Sequence, residues 1–123
     1  MEQGRGERRR GRRISLQAPL LIRRLAQQGA ELFQELLTQN VSMAGVYFET
    51  DDADAFAMNE SVMTSVSIPE IQRREFPFTR LAGRGRVVRI NPLPPPQSSE
   101  RQRFGIALEF GEDLTALTAI PHR

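Results

Sequence analysis

Two short clusters carry most of the polar chemistry of this 123-residue chain. One is the arginine run Arg8-Arg9-Arg10-Gly11-Arg12-Arg13; the other is Asn40-Val41-Ser42-Met43-Ala44-Gly45. A guanidinium is a planar fork that grips phosphate through two parallel hydrogen bonds and stacks on a purine face. An Asn amide offers both an acceptor and a donor, and a Ser hydroxyl does the same from one atom. Gly lets backbone approach closely, or adopt a positive φ, where a side chain would collide. Asn and Gly are poor choices beside the strand-formers Val41, Val46, Tyr47 and Phe48 unless something requires them. A polar turn between two strands would explain them. So would a cradle of hydrogen-bonding groups facing an anionic ligand.

Charge is distributed unevenly. Residues 1–24 hold eight Arg and two Glu, net +6, whereas residues 25–123 hold nine Arg and thirteen acidic residues, net −4. All seventeen basic residues are Arg. The front of the molecule is therefore an anion-seeking arm on a mildly acidic body, and residues 1–13 are expected to be a flexible ligand-binding arm. The remainder, 14–123, has the size of one domain. No apolar run nears the ~18–20 residues of a membrane span. No apolar stretch directly follows the arginines as a secretory signal would need, and there is no Cys for disulfide or thiolate chemistry. A cytoplasmic protein without membrane insertion is expected.

The elements that must position the two clusters read mainly as strands. In ISLQAPLLIRR, Leu16, Ala18, Leu20 and Ile22 fall on one face, with Pro19 at an edge or strand start. Residues 25–37 fit either a helical period or the second half of a hairpin. Val62, Thr64, Val66 and Ile68 alternate, and RGRVVRI is a β-branched run in which Gly83 and Gly85 could form a bulge. NPLPPPQSSE, residues 91–100, reads as a loop. RFGIALEF alternates with Phe104, Ile106, Leu108 and Phe110 inward, and GEDLTALTAI reads as a short helix. Five or six strands with turns between them and a terminal helix suggest a small antiparallel barrel.

Twenty-six residues separate Arg13 from Asn40, enough for one hairpin to bring the clusters together. At that spacing the chain resembles the PilZ domain family, receptors for the bacterial second messenger cyclic di-GMP. The family pattern is R-x-x-x-R, a hairpin-length spacer, then (D/N)-x-S-x-x-G. Arg9 to Arg13 match the first part and Asn40 to Gly45 the second, while GRGRVVRI and FGIALEF are similar to later family strands. The resemblance covers about residues 7 to 114. It implies an all-β fold, a six-stranded antiparallel β-barrel with a short C-terminal helix, and it turns ELFQELLTQ from helix to strand. It also implies that Arg9, Arg13, Asn40, Ser42 and Gly45 bind cyclic di-GMP. The Arg fork matches the guanine O6/N7 edge, and the Asn40 carbonyl suits the N1–H/N2–H₂ edge. Arg8 and Arg10 suit a second ligand molecule stacked with the first as an intercalated dimer, and Arg89 suits a cation–π contact with a guanine. No cofactor is implied. Output would run through an unidentified effector protein, in motility, biofilm or exopolysaccharide control, triggered when the arm orders.

Three rivals remain open. A small Arg-rich nucleic-acid-binding barrel fits the arm but not the acidic body, in which most aromatics take core positions. A PilZ-fold protein-interaction adaptor without nucleotide binding would not need the arginine motif. An enzyme lacks means, because the single His122 is near the end and there is neither Lys nor Cys. Asp51-Asp52-Ala53-Asp54 lacks the spacing of a calcium loop and reads as a solvated turn, so no metal is expected.

Overall fold

Side chains alternate between two faces of a strand, and that alternation sorts this chain into core and surface. The computed structural model describes residues 14–25, 31–52, 56–72, 78–94 and 102–118. Within them lie β1 (Ile14–Ser15), β2 (Pro19–Leu25), β3 (Glu31–Val41), β4 (Gly45–Thr50), β5 (Ser61–Ser67), β6 (Arg80–Leu93), β7 (Arg103–Phe110) and β8 (Thr115–Leu117). β2, β3, β4, β7, β6 and β5 pair antiparallel in that order, and β5 pairs back to β2. The sheet thus closes into a six-stranded barrel, which removes the exposed edges that invite aggregation. β1 extends the pairing along β3, and β8 borders the start of β6.

Inward residues fill the barrel. Leu16, Ala18, Leu20, Ile22, Val41, Phe48, Val66, Ile106, Leu108 and Phe110 are all buried, as the period-two reading of their strands requires. Burying each large side chain contributes about 1.5–3 kcal/mol. Phe48 meets Phe56 edge-on at 5.5 Å between centroids. Arg24 closes that end, lying 5.2 Å over the Phe56 ring and pairing with Glu60 at 2.8 Å.

Residues 31–37 of the ambiguous segment form a strand, as the resemblance implied. β3 pairs with β2 from Leu37↔Pro19 to Glu31↔Leu25, and this hairpin overrides the local helix propensity. The outcome is visible on the surface, where Leu32, Phe33 and Leu37, three residues of the helical stripe, are about half exposed. The expected C-terminal helix is corrected. Residues 111–114 turn, with the Leu114 N–H donating to the Gly111 carbonyl, and Thr115–Leu117 then pair with Arg80–Ala82. The strand wins because β6 offers unpaired backbone there, while Thr115 is a weak helix former. Leu117 consequently faces out and Ala116 packs inward. β6 also runs further than expected, through Asn91, Pro92 and Leu93. Proline is tolerated there because this end of the strand pairs with β7 alone.

Thr38 ties the start of the chain to β3. It is fully buried; its hydroxyl donates to the Leu16 carbonyl and accepts from the Ala18 N–H at 2.9 Å. Both backbone groups belong to the break between β1 and β2, where no ladder partner serves them. Thr38→Val keeps the shape and strands both. We expect it to lower unfolding free energy by about 1–3 kcal/mol, read by urea denaturation. Wild-type stability in that variant would show that the break is held by packing alone.

Candidate functional site

Asn40 and Arg89 reach the same outer surface because each follows an extra residue in its strand. Between β3 and β4 the register steps from Thr38↔Phe48 to Asn40↔Tyr47, leaving Gln39 unopposed. Between β6 and β7 it steps from Val87↔Leu108 to Arg89↔Ala107, leaving Val88 unopposed. Thr38 and Val87 are buried, so strict alternation would bury residues 40 and 89 as well. A β-bulge reverses the phase. Both polar side chains are thereby turned outward, with Val41 and Ile90 taking the inward positions.

The two bulges align. Ser15 pairs with Asn40, Asn40 with Tyr47, Tyr47 with Ala107, and Ala107 with Arg89. One outward row therefore crosses five strands, and its part from Asn40 to Arg89 forms the floor of a groove of about 430 Å³. Ser42, Gly45, Asn91 and Glu109 complete its wall. Among the described residues, neither the Asn40 amide nor the Arg89 guanidinium has a hydrogen-bond partner, so both are available to a ligand. By contrast, Arg86, one row away, donates to the Glu109 carboxylate at 2.8 Å and to the Asn59 side-chain Oδ1 at 3.0 Å.

The loop between β3 and β4 explains the rest of the Asn-x-Ser-x-x-Gly pattern. The Ser42 N–H donates to the Gly45 carbonyl at 2.9 Å, and the Ser42 hydroxyl accepts from the Ala44 N–H at 3.0 Å. Ser42 is thus first a turn-former, with its hydroxyl proton left for another acceptor. Gly45 is required by a close approach: a Cβ there would collide with the Leu108 carbonyl on β7. Its backbone conformation is not left-handed, so of the two roles open to it the first applies. The Phe110 N–H donates to the Ala44 carbonyl at 2.8 Å and pins the same turn to β7.

Of the residues expected at the site, Asn40, Ser42, Gly45 and Arg89 come together in this groove. Arg8, Arg9, Arg10 and Arg13 lie outside the described residues, as does His122. β1 starts at Ile14 opposite Val41, so the arginine run is joined covalently beside the Asn40–Gly45 turn. Sequence reasoning missed Tyr47, Ala107 and Asn91, and it sought a bulge at the glycines rather than at Val88. The signal was present: the polar positions of β6 step from 84 and 86 to 89 and 91, a change of phase around Val87-Val88. Among the described residues no cluster of three or more His, Asp or Glu could hold a metal, and no helix is long and apolar enough to cross a membrane.

No family model matches the sequence, and no curated protein matches it. Solved structures do. The inhibitor of motility MotI/DgrA from Bacillus subtilis is 22% identical with a TM-score of 0.56, over 85% of this chain and 43% of that one. The PilZ domain of YcgR from Escherichia coli, solved with c-di-GMP, is 12% identical with a TM-score of 0.57, over 85% and 79%. An F420 reductase is 14% identical with a TM-score of 0.55, over 94% and 98%. The chain spans under half the length of MotI/DgrA. Its fold is that of a PilZ-like barrel.

Gly45→Ala tests the turn. The added methyl must push β4 from β7 at the Gly45↔Glu109 pair, and we expect a loss of about 1–3 kcal/mol in a thermal melt with faster exchange of the Phe110 amide. An equally stable variant with unchanged exchange would show that the close approach is not needed.

Proposed function

We propose that the protein is a receptor for cyclic di-GMP that binds the nucleotide in the groove over the Asn40–Arg89 row. The observation that carries this reading is the pair of unpartnered polar side chains, Asn40 and Arg89, turned outward by two separate bulges onto one row. Cyclic di-GMP has two phosphodiester charges and two guanines, which match a groove holding a free amide, a hydroxyl donor and a free guanidinium. In this reading Asn40 takes the Watson–Crick edge of a guanine, Ser42 donates to a neighbouring acceptor, and Gly45 lines the ligand's groove while its close contact with β7 holds the turn in place. Arg9 and Arg13 supply the cationic half of the clamp from the segment joined at Ile14. A second, intercalated nucleotide would draw on Arg8 and Arg10.

The protein acts as a sensor rather than an enzyme in this proposal. Engagement of the arginine segment by the ligand alters the surface beside β1, and an effector protein reads that change. YcgR supports the ligand, since its PilZ domain was solved with c-di-GMP, and MotI/DgrA points to motility as the output. Resemblance to an F420 reductase, at 14% identity, is a likeness of fold.

Calorimetry with cyclic di-GMP is the test. Binding at micromolar affinity or tighter is expected, about −8 kcal/mol. Arg9→Ala and Arg13→Ala should each weaken it by about 5- to 150-fold, the equivalent of ~1–3 kcal/mol for a lost bidentate contact. Arg5→Ala, outside the motif, should change little. No heat at ~100 μM ligand, well above the expected dissociation constant, would remove the proposal. Equal small losses for all three variants would show diffuse charge instead of a clamp.

A further inference from the structure

The groove contains an aromatic side chain that neither sequence cluster includes. Tyr47 is the one tyrosine of the chain, and there is no Trp. It stands between the buried Val46 and Phe48, so strand alternation turns it outward, into the middle of the Asn40–Arg89 row. Its ring does not project freely into solvent. A Cβ on Gly105 would fall among the ring atoms, the nearest being the hydroxyl oxygen, Cζ and Cε1. The hydroxyl end of the ring therefore covers Gly105, so the side chain leans across β7, half-buried, while still lining the groove.

Gly105 is what lets the ring lie down. Any side chain there would push it off the strand. Next along the row is Ala107, whose short side chain leaves a low stretch between the Tyr47 ring and the exposed Arg89. Tyr47 and Arg89 flank that stretch from strands on either side of β7, roughly two strand spacings or about 10 Å apart at the backbone. Both are flat groups suited to stacking on a heterocycle.

We propose that the Tyr47 ring is a stacking plate for one purine base of the bound nucleotide, laid flat by Gly105 and faced across Ala107 by Arg89. The inference rests on the receptor reading above and adds where a base sits. Asn40, the other neighbour of Tyr47 in the row, then reads the edge of the base that the ring holds by its face. Stacking alone accepts any base, so Tyr47 sets affinity and Asn40 sets identity.

The single tyrosine makes the test direct. The full chain, labelled with 13C-tyrosine, gives one set of ring signals, followed by NMR while cyclic di-GMP is added and the heat of binding is measured in parallel. We expect the ring signals to move upfield, as stacking under a purine requires, and to saturate with the calorimetric isotherm. Tyr47→Ala should weaken binding by about 5- to 150-fold, while Tyr47→Phe, which keeps the plate, should bind much as the native chain does. A ring that merely covers Gly105 would predict a less stable Tyr47→Ala variant with native affinity. Saturating heat with unmoved ring signals in the native chain would overturn the plate and leave the receptor reading standing. No heat at all would remove both.

Discussion

In a β-strand the face on which a side chain emerges is fixed by counting, and one unopposed residue reverses the count for everything beyond it. The outer surface of this barrel depends on two such reversals. Were Gln39 paired in regular register, Asn40 would point into the core beside Thr38. Were Val88 so paired, Arg89 would point inward like Val87. A buried, unpaired guanidinium is untenable, so the bulge protects the fold as well as aiming the side chain. Because both reversals fall on the same row, two strands distant in sequence deliver polar groups to one groove.

Closure of the barrel makes this alignment rigid. β3 pairs with β4 and β4 with β7, so the Asn40 turn and the strand facing Arg89 are locked by backbone hydrogen bonds rather than by side chains. Gly45 permits the contact by leaving the Leu108 carbonyl unobstructed, and Thr38 holds the break before β2 so that β1 runs alongside Asn40. The site is thus assembled from the scaffold's most constrained parts. Three of the apolar residues left on the surface, Leu32, Phe33 and Leu37, lie along β3 away from the motif.

Much of this was legible in the sequence. The inward faces of ISLQAPLLIRR and RFGIALEF follow from alternation alone, because each strand buries one face and wets the other. The Asn-x-Ser-x-x-Gly cluster stood out because its residues are unsuited to a plain strand. Residues 31–37 have helical spacing and propensity, so local pattern left them open; the resemblance turned them to strand, and the pairing with β2 makes them one. Thr115–Leu117 became β8 because β6 had an open edge, which no local pattern records. Tyr47 was hidden because an isolated outward aromatic is ordinary until Gly105, fifty-eight positions on, is seen beneath it. The arginine run lies outside the described residues, and its role rests on the resemblance and on its attachment at Ile14.

The central claim is that the ligand sits over the row from Asn40 to Arg89. A larger groove, about 690 Å³, lies elsewhere on the barrel between Pro19, Leu37, Ser65 and Arg80, so the claim has a competitor. Mapping amide and side-chain NMR shifts on addition of cyclic di-GMP separates the two. The account predicts that the Asn40 side-chain amide and the backbone amides of Ser42, Gly45, Ala107 and Arg89 move together. Shifts confined to Leu37, Ser65, Ser67 and Arg80, with the Asn40 amide unmoved, would contradict it.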